Sequence, residues 1–124
     1  MSYVDLHVHS NASDGTLSPE QVVRLAHEAG LSAIALTDHD TTAGVAGAAE
    51  AGAELGLEVV PGIEVSSSFR DHEIHILGLF VDTDSPSLQA ALKEFRHHRD
   101  QRNQEMLGRF DAHGIHLTAN ELCA

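Results

Sequence analysis

Tyr3-Val4-Asp5-Leu6-His7-Val8-His9-Ser10, followed by Asn11-Ala12-Ser13-Asp14-Gly15, is the stretch around which the chain is organised. The alternation from Tyr3 to Val8 predicts a strand with Asp5, His7 and His9 on one face and Val4, Leu6 and Val8 on the other. Imidazoles at i and i+2 on one strand face can reach the same cation, and neutral imidazole is a common metal ligand. A site begun in this way needs further ligands from elsewhere in the chain.

Working outward, Ser18-Pro19-Glu20-Gln21 reads as a helix start: a serine cap, proline in the first turn and a glutamine placed to close a capping box. Val22, Leu25, Ala26 and Ala29 form one apolar stripe, and Gly30 ends the helix. Leu31 to Leu36 is nearly continuous in apolar residues, as in a strand buried on both sides of a parallel sheet. An alanine-rich helix is expected from Ala43 to Leu55, stopped by Gly56. A further buried strand is expected from Leu57 to Val60, closing on Pro61-Gly62. Strand, helix, strand, helix, strand predicts an α/β fold with right-handed crossovers and a parallel sheet or barrel. Ile63 to Phe69 and Glu73 to Val81 read as two more extended stretches, an antiparallel pair joined by a short connection. Pro86 opens a long helix running to Ala112, Ile115 to Leu117 is short and extended, and Thr118 looks like the cap of another helix. The expected division is 1–85 for the sheet region and 86–124 for the long helix and the C-terminal residues beyond it.

Composition narrows the function classes. The 124 residues suffice for one domain at most, and 42% hydrophobic with 21% charged is ordinary for a soluble protein. No run is long and apolar enough for a membrane span, and the early acidic residue is unlike a signal peptide. The lone Cys123 cannot form an internal disulfide, which fits a reducing cytoplasm. A formal net charge of −12 argues against gripping a long duplex nucleic acid, which requires clustered Lys and Arg. It leaves a small phosphorylated substrate open, because bound divalent cations can dominate the charge of a site.

Ligand-type residues recur at the predicted strand ends: His7, His9 and Asp14 after the first, His39 after the second, Glu64 after the third and His75 in the last. In alternating strand–helix barrels, the C-terminal ends of the strands converge on one face. Any one of these histidines could as readily fill a hydrogen-bonded structural role, but together the six define a candidate metal site. Asp38 and Asp40, which flank His39, are the catalytic candidates. Asp38 is an acceptor that could fix the imidazole, and Asp40 has the competing reading of a cap on the next helix. Asp5 shares the ligand face but lies deeper. Arg99 and Arg102 can share one face of the long helix and suit a phosphate clamp, although such charges are also common on a solvated face. Asp111-Ala112-His113 copies a ligand pair only superficially, since helical residues two apart point to nearly opposite sides.

Asp5-Leu6-His7-Val8-His9-Ser10, Ser13-Asp14-Gly15, Thr37-Asp38-His39-Asp40-Thr41 and Pro61-Gly62-Ile63-Glu64 resemble the successive motifs of the PHP family, named for polymerase and histidinol phosphatase. The resemblance runs from Tyr3 to Val81, with His75 as the next ligand. Ile76 to Phe80, and the helix carrying Phe95, Arg96, Arg99, Arg102, Asn103 and Met106, are similar to stand-alone bacterial PHP phosphoesterases. Those include nucleoside 3′,5′-bisphosphate phosphatases and 5′-to-3′ exoribonucleases.

The resemblance implies a distorted seven-stranded TIM-like (βα)7 barrel with a trinuclear centre, of which this chain is the incomplete N-terminal part. His7 and His9 would hold one ion with Glu64, which would bridge to a second ion also bound by His75. Asp14 and His39 would hold the third. Nitrogen and oxygen donors together suit Mn, Fe or Zn. The family's late histidine and C-terminal Asp-x-His pair are not found before Ala124. The expectation is therefore a truncated piece, its barrel completed by a second fragment or another copy, with the long helix leading into an inserted domain. The implied activity is hydrolysis of phosphate esters of small nucleotides or of the 5′ ends of short oligonucleotides by metal-activated water. The rivals are a histidinol-phosphatase-type enzyme and a non-catalytic metal-binding module that braces a polymerase or another partner.

Overall fold

A computed structural model describes residues 2–122, so the expectation for Cys123 lies outside the described residues. The chain divides into two compact units, residues 1–89 and 90–124. The first unit carries β1 (Tyr3–Val8), α1 (Pro19–Glu28), β2 (Leu31–Leu36), α2 (Val45–Leu55), β3 (Glu58–Phe69) and β4 (His72–Leu79), in a four-stranded sheet ordered β1-β2-β3-β4. β1, β2 and the first part of β3 are parallel, as two helical crossovers require, and β3 with β4 is an antiparallel hairpin.

The core forms where α1 and α2 cover the sheet: Val22, Val23 and Ala26 from α1, Ala48 and Ala51 from α2, and Ile34 and Leu36 from β2. α1 begins with the expected capping box, in which Ser18 Oγ accepts the Gln21 N–H while Gln21 Oε1 accepts the Ser18 N–H. α2 has no side-chain cap, its first flanking residue being Gly44. Asp40, four residues earlier, is not the N-cap residue of α2.

Two sequence expectations are corrected in the sheet. Pro61-Gly62 does not close the strand, because β3 runs unbroken through it. Glu58 to Pro61 pair with β2, and Gly62 to Phe69 pair with β4. Proline lacks an N–H and so fits the point where one neighbour hands over to the next, while its carbonyl accepts the Val81 N–H at 3.1 Å. Gly62 is required by close approach: a Cβ there would lie 2.9 Å from the Leu36 carbonyl oxygen and 2.8 Å from Thr37 Cγ2. In β1 the strict alternation also fails, because its pairing with β2 shifts register between Asp5 and Val8. Asp5 and Val8, opposite in parity, line the same recess beside Val22 and Leu25 of α1. The Asp5 carboxylate accepts the His7 N–H at 3.1 Å.

α3 (Pro86–Ala112) begins in the first unit and makes up most of the second, followed by the four-residue α4 (Ala119–Leu122). Thr118 caps α4 as expected, with its Oγ1 accepting the Glu121 N–H and its own N–H donated to Glu121 Oε2. Ile115 to Leu117 forms no strand; the Ile115 N–H is donated to the Phe110 carbonyl and closes the end of α3.

Candidate metal centre

β1 delivers His7 near its end and His9 just beyond it, while β2 stops at Leu36 and its continuation runs alongside β3. A parallel bridge joins His39 to Glu64: the Asp40 N–H is donated to the Glu64 carbonyl at 3.0 Å and the Glu64 N–H to the Asp38 carbonyl at 3.1 Å. The hairpin supplies His75, opposite Ser66. Glu64 thus lies within a strand and not after one, because β3 extends past Pro61.

The six expected ligands come together around Glu64. Its Oε2 lies 2.9 Å from His7 Nε2 and 2.8 Å from His9 Nε2, and its Oε1 lies 3.0 Å from His75 Nδ1. Asp14 approaches His9 Nδ1 at 2.9 Å and His39 Nε2 at 3.3 Å. Ligand atoms within 4.8 Å of one another form three groups: His7, His9 and Glu64; His9, Asp14 and His39; and His39, Glu64 and His75.

Burial alone would raise the Glu64 carboxyl, but the hydrogen bond with His7 and the charges of His39, His7 and His9 hold it below its ordinary value. Asp14 is likewise lowered: a desolvation effect in the opposite direction is outweighed by His39 and His9. The donor set fits a divalent cation. A neutral imidazole has one N–H, yet both ring nitrogens of His9 face carboxylate oxygens, an arrangement that calls for positive charge between them. His39 Nδ1 is buried without a hydrogen-bond partner, and nitrogen with carboxylate oxygen suits transition-metal ions.

Asp38 and Asp40 are both buried. Asp38 is bonded to two serines: its Oδ1 accepts the Ser10 N–H at 2.7 Å and the Ser13 hydroxyl at 2.6 Å, and its Oδ2 accepts the Ser10 hydroxyl at 2.7 Å. Asp40, in the left-handed region at φ 52°, accepts the Ser66 N–H at 3.0 Å and ties the end of β2 to β3. Ser10 and Ser13 are the partners that sequence reading misses; the only signal for them is that each serine stands within a ligand motif. Arg99 and Arg102 lie on α3 in the second unit. Asp111 and His113 separate as expected, with His113 Nδ1 directed to the Arg109 carbonyl.

A largely parallel α/β sheet whose rim gathers imidazoles and carboxylates defines a domain able to hold divalent cations. The chain belongs to the PHP domain family, whose model matches residues 5–118. It is 44% identical over 115 residues to the 3′,5′-nucleoside bisphosphate phosphatase of Chromobacterium violaceum, covering 93% of this chain and 40% of that protein. It is 42% identical over 109 residues to the 5′-3′ exoribonuclease Rnm of Escherichia coli, covering 86% and 37%. A solved structure of an amidohydrolase from Chromobacterium violaceum, with bound sulfate and no metal, matches at a TM-score of 0.86 and 43% identity, covering 92% of this chain and 40% of that one. The chain thus spans about 40% of the length of the relatives it matches. Among the described residues no helix is long and apolar enough to cross a membrane.

Proposed function

We propose that the chain is part of a PHP metal-dependent phosphoesterase that hydrolyses phosphate esters of small nucleotides or of the 5′ ends of short oligonucleotides. The observation that carries this reading is the convergence on Glu64 of four imidazoles and a second carboxylate from separate parts of the chain. The activities for which its relatives are named, on nucleoside bisphosphates and on RNA, support the choice of substrate class.

His7 and His9 would hold one cation with Glu64, Glu64 and His75 a second, and Asp14 and His39 a third. This partition uses each imidazole once and asks only Glu64 to bridge, which a carboxylate with its two oxygens can do. Bound Mn, Fe or Zn ions supply Lewis acidity, which lowers the pKa of water and offsets the charge of the phosphoryl group. The part of the chain itself is preorganisation: the β3 backbone fixes Glu64, and the β1 and β2 ends aim the imidazoles. Arg99 and Arg102 are assigned to clamping a phosphate. The reading includes a seven-stranded barrel completed by strands from the rest of the protein, a second fragment or another copy. It also includes a cytoplasmic setting.

The test is release of inorganic phosphate from adenosine 3′,5′-bisphosphate by the full-length protein supplied with Mn²⁺. Turnover that chelation stops and that His7→Ala or Glu64→Ala abolishes is expected. If the two variants only lower the melting temperature and no phosphate ester is turned over, a metal-braced, non-catalytic module replaces the enzyme.

A further inference from the structure

Asp14 presents a problem of position. Its side chain is 64% exposed, so packing does not hold it, yet its oxygens reach imidazoles from two different strand ends, His9 and His39. What holds it is the loop on which it rides. The Ser13 and Gly15 N–H groups are both donated to the Ser10 carbonyl, at 3.2 and 2.8 Å, and the Ala12 N–H to Ser10 Oγ at 3.1 Å. The fold-back is so tight that a Cβ on Gly15 would lie 2.8 Å from the Ser10 carbonyl carbon. Ser10, fully buried, is therefore the root of the loop.

Ser10 and Ser13, the latter directly before Asp14, are held by one side chain. The Asp38 carboxylate, 2% exposed, accepts the Ser10 N–H, the Ser10 hydroxyl and the Ser13 hydroxyl. These three short hydrogen bonds draw together the loop that carries Asp14 and the strand end that carries His39. We infer that Asp38 is a positioning residue: by latching Ser10 and Ser13 it sets the distance between Asp14 and His39, and so governs the affinity of one cation without touching it. This rests on the reading that Asp14 and His39 hold a cation.

The test uses the full-length protein and separates the two claims. In the cation-free protein, amide hydrogen exchange at Ser10 and Gly15 reads the latch alone. Asp38→Asn, which removes the negative charge an ionised carboxylate would bring and one of the two acceptor oxygens, should speed exchange there about tenfold or more, with little change in the α1 and α2 amides. In Mn²⁺ titrations followed by electron paramagnetic resonance, Asp38→Asn and Ser13→Ala should weaken one ion about 10- to 100-fold, the range for loss of a group that orients a ligand. The ions held by His7, His9, Glu64 and His75 should keep their affinity. Ser13→Thr, which keeps the hydroxyl, should restore binding. Should Asp38→Asn not fold, Ser13→Ala against Ser13→Thr decides. Wild-type affinity for every ion in Ser13→Ala, with unchanged exchange at Ser10, overturns the latch. A wild-type protein that binds no Mn²⁺ overturns the metal reading instead, and the exchange arm still judges the latch.

Discussion

Glu64 is 5% exposed, and its two oxygens face imidazole nitrogens of His7, His9 and His75 at 2.8 to 3.0 Å. Although burial works against its charge, the hydrogen bond with His7 and the charges of His39, His7 and His9 keep it ionised below its ordinary value of 4.5. A carboxyl lowered in the folded state contributes stability that is present above its unfolded pKa and lost as pH falls through the folded one. In cation-free protein, the melting temperature should therefore hold above about pH 4.5 and fall below it, and Glu64→Gln should flatten that acid limb. Thermal melts from pH 6 down to about pH 3 check this; an equally steep limb in Glu64→Gln would assign the acid sensitivity to other carboxyls. At this scale the sequence is a good guide to ligands and a poor one to their supports. The six ligands can be picked out because histidine and carboxylate carry their chemistry in their identity. The partners of Asp38 cannot be read from adjacency: its carboxylate is bonded to Ser10 and Ser13, 28 and 25 positions away along the chain.

β3 is the element on which the site turns, since one strand pairs with β2, bridges to His39 and carries Glu64 into the hairpin. That continuity depends on Gly62, whose missing side chain lets the strand pass the Leu36 carbonyl and Thr37. Gly62→Ala puts a methyl group against backbone that cannot step aside, and overpacking of this kind costs about 1–3 kcal/mol. Chemical denaturation of the cation-free protein should show that loss, and the cation affinity of Glu64 should fall with it. An unchanged midpoint would mean that β3 can shift without losing its register. The same residue marks the limit of the sequence reading. Helix starts and stops are legible because Ser18, Pro19, Gly30 and Gly56 act locally, and β2 because its apolar run is continuous. Pro61-Gly62 carries the local signature of a turn, and only the neighbouring strand, whose carbonyl needs the space, makes it a crossing.

Among the described residues, β1 and β4 are the edge strands of the sheet in the first unit, since the order β1-β2-β3-β4 leaves each with a single strand neighbour. Both carry exposed apolar residues: Val4 is 56% and Leu6 41% exposed on β1, and Ile76 is 55% exposed on β4. An open strand edge with apolar side chains is a template for pairing with another chain. Opposing it is a formal net charge of −12, which makes two copies repel. Repulsion between exposed charges is screened by salt, with a Debye length that falls from roughly 30 Å at 0.01 M to about 3 Å at 1 M, whereas apolar burial is not. The 124-residue chain should therefore associate more strongly as sodium chloride is raised, the reverse of an assembly held by ion pairs. Sedimentation velocity across a salt series measures this, and Val4→Lys with Ile76→Lys should return the chain toward monomer at every salt concentration. Dissociation on adding salt would place the contact on charged groups and leave the strand edges uninvolved.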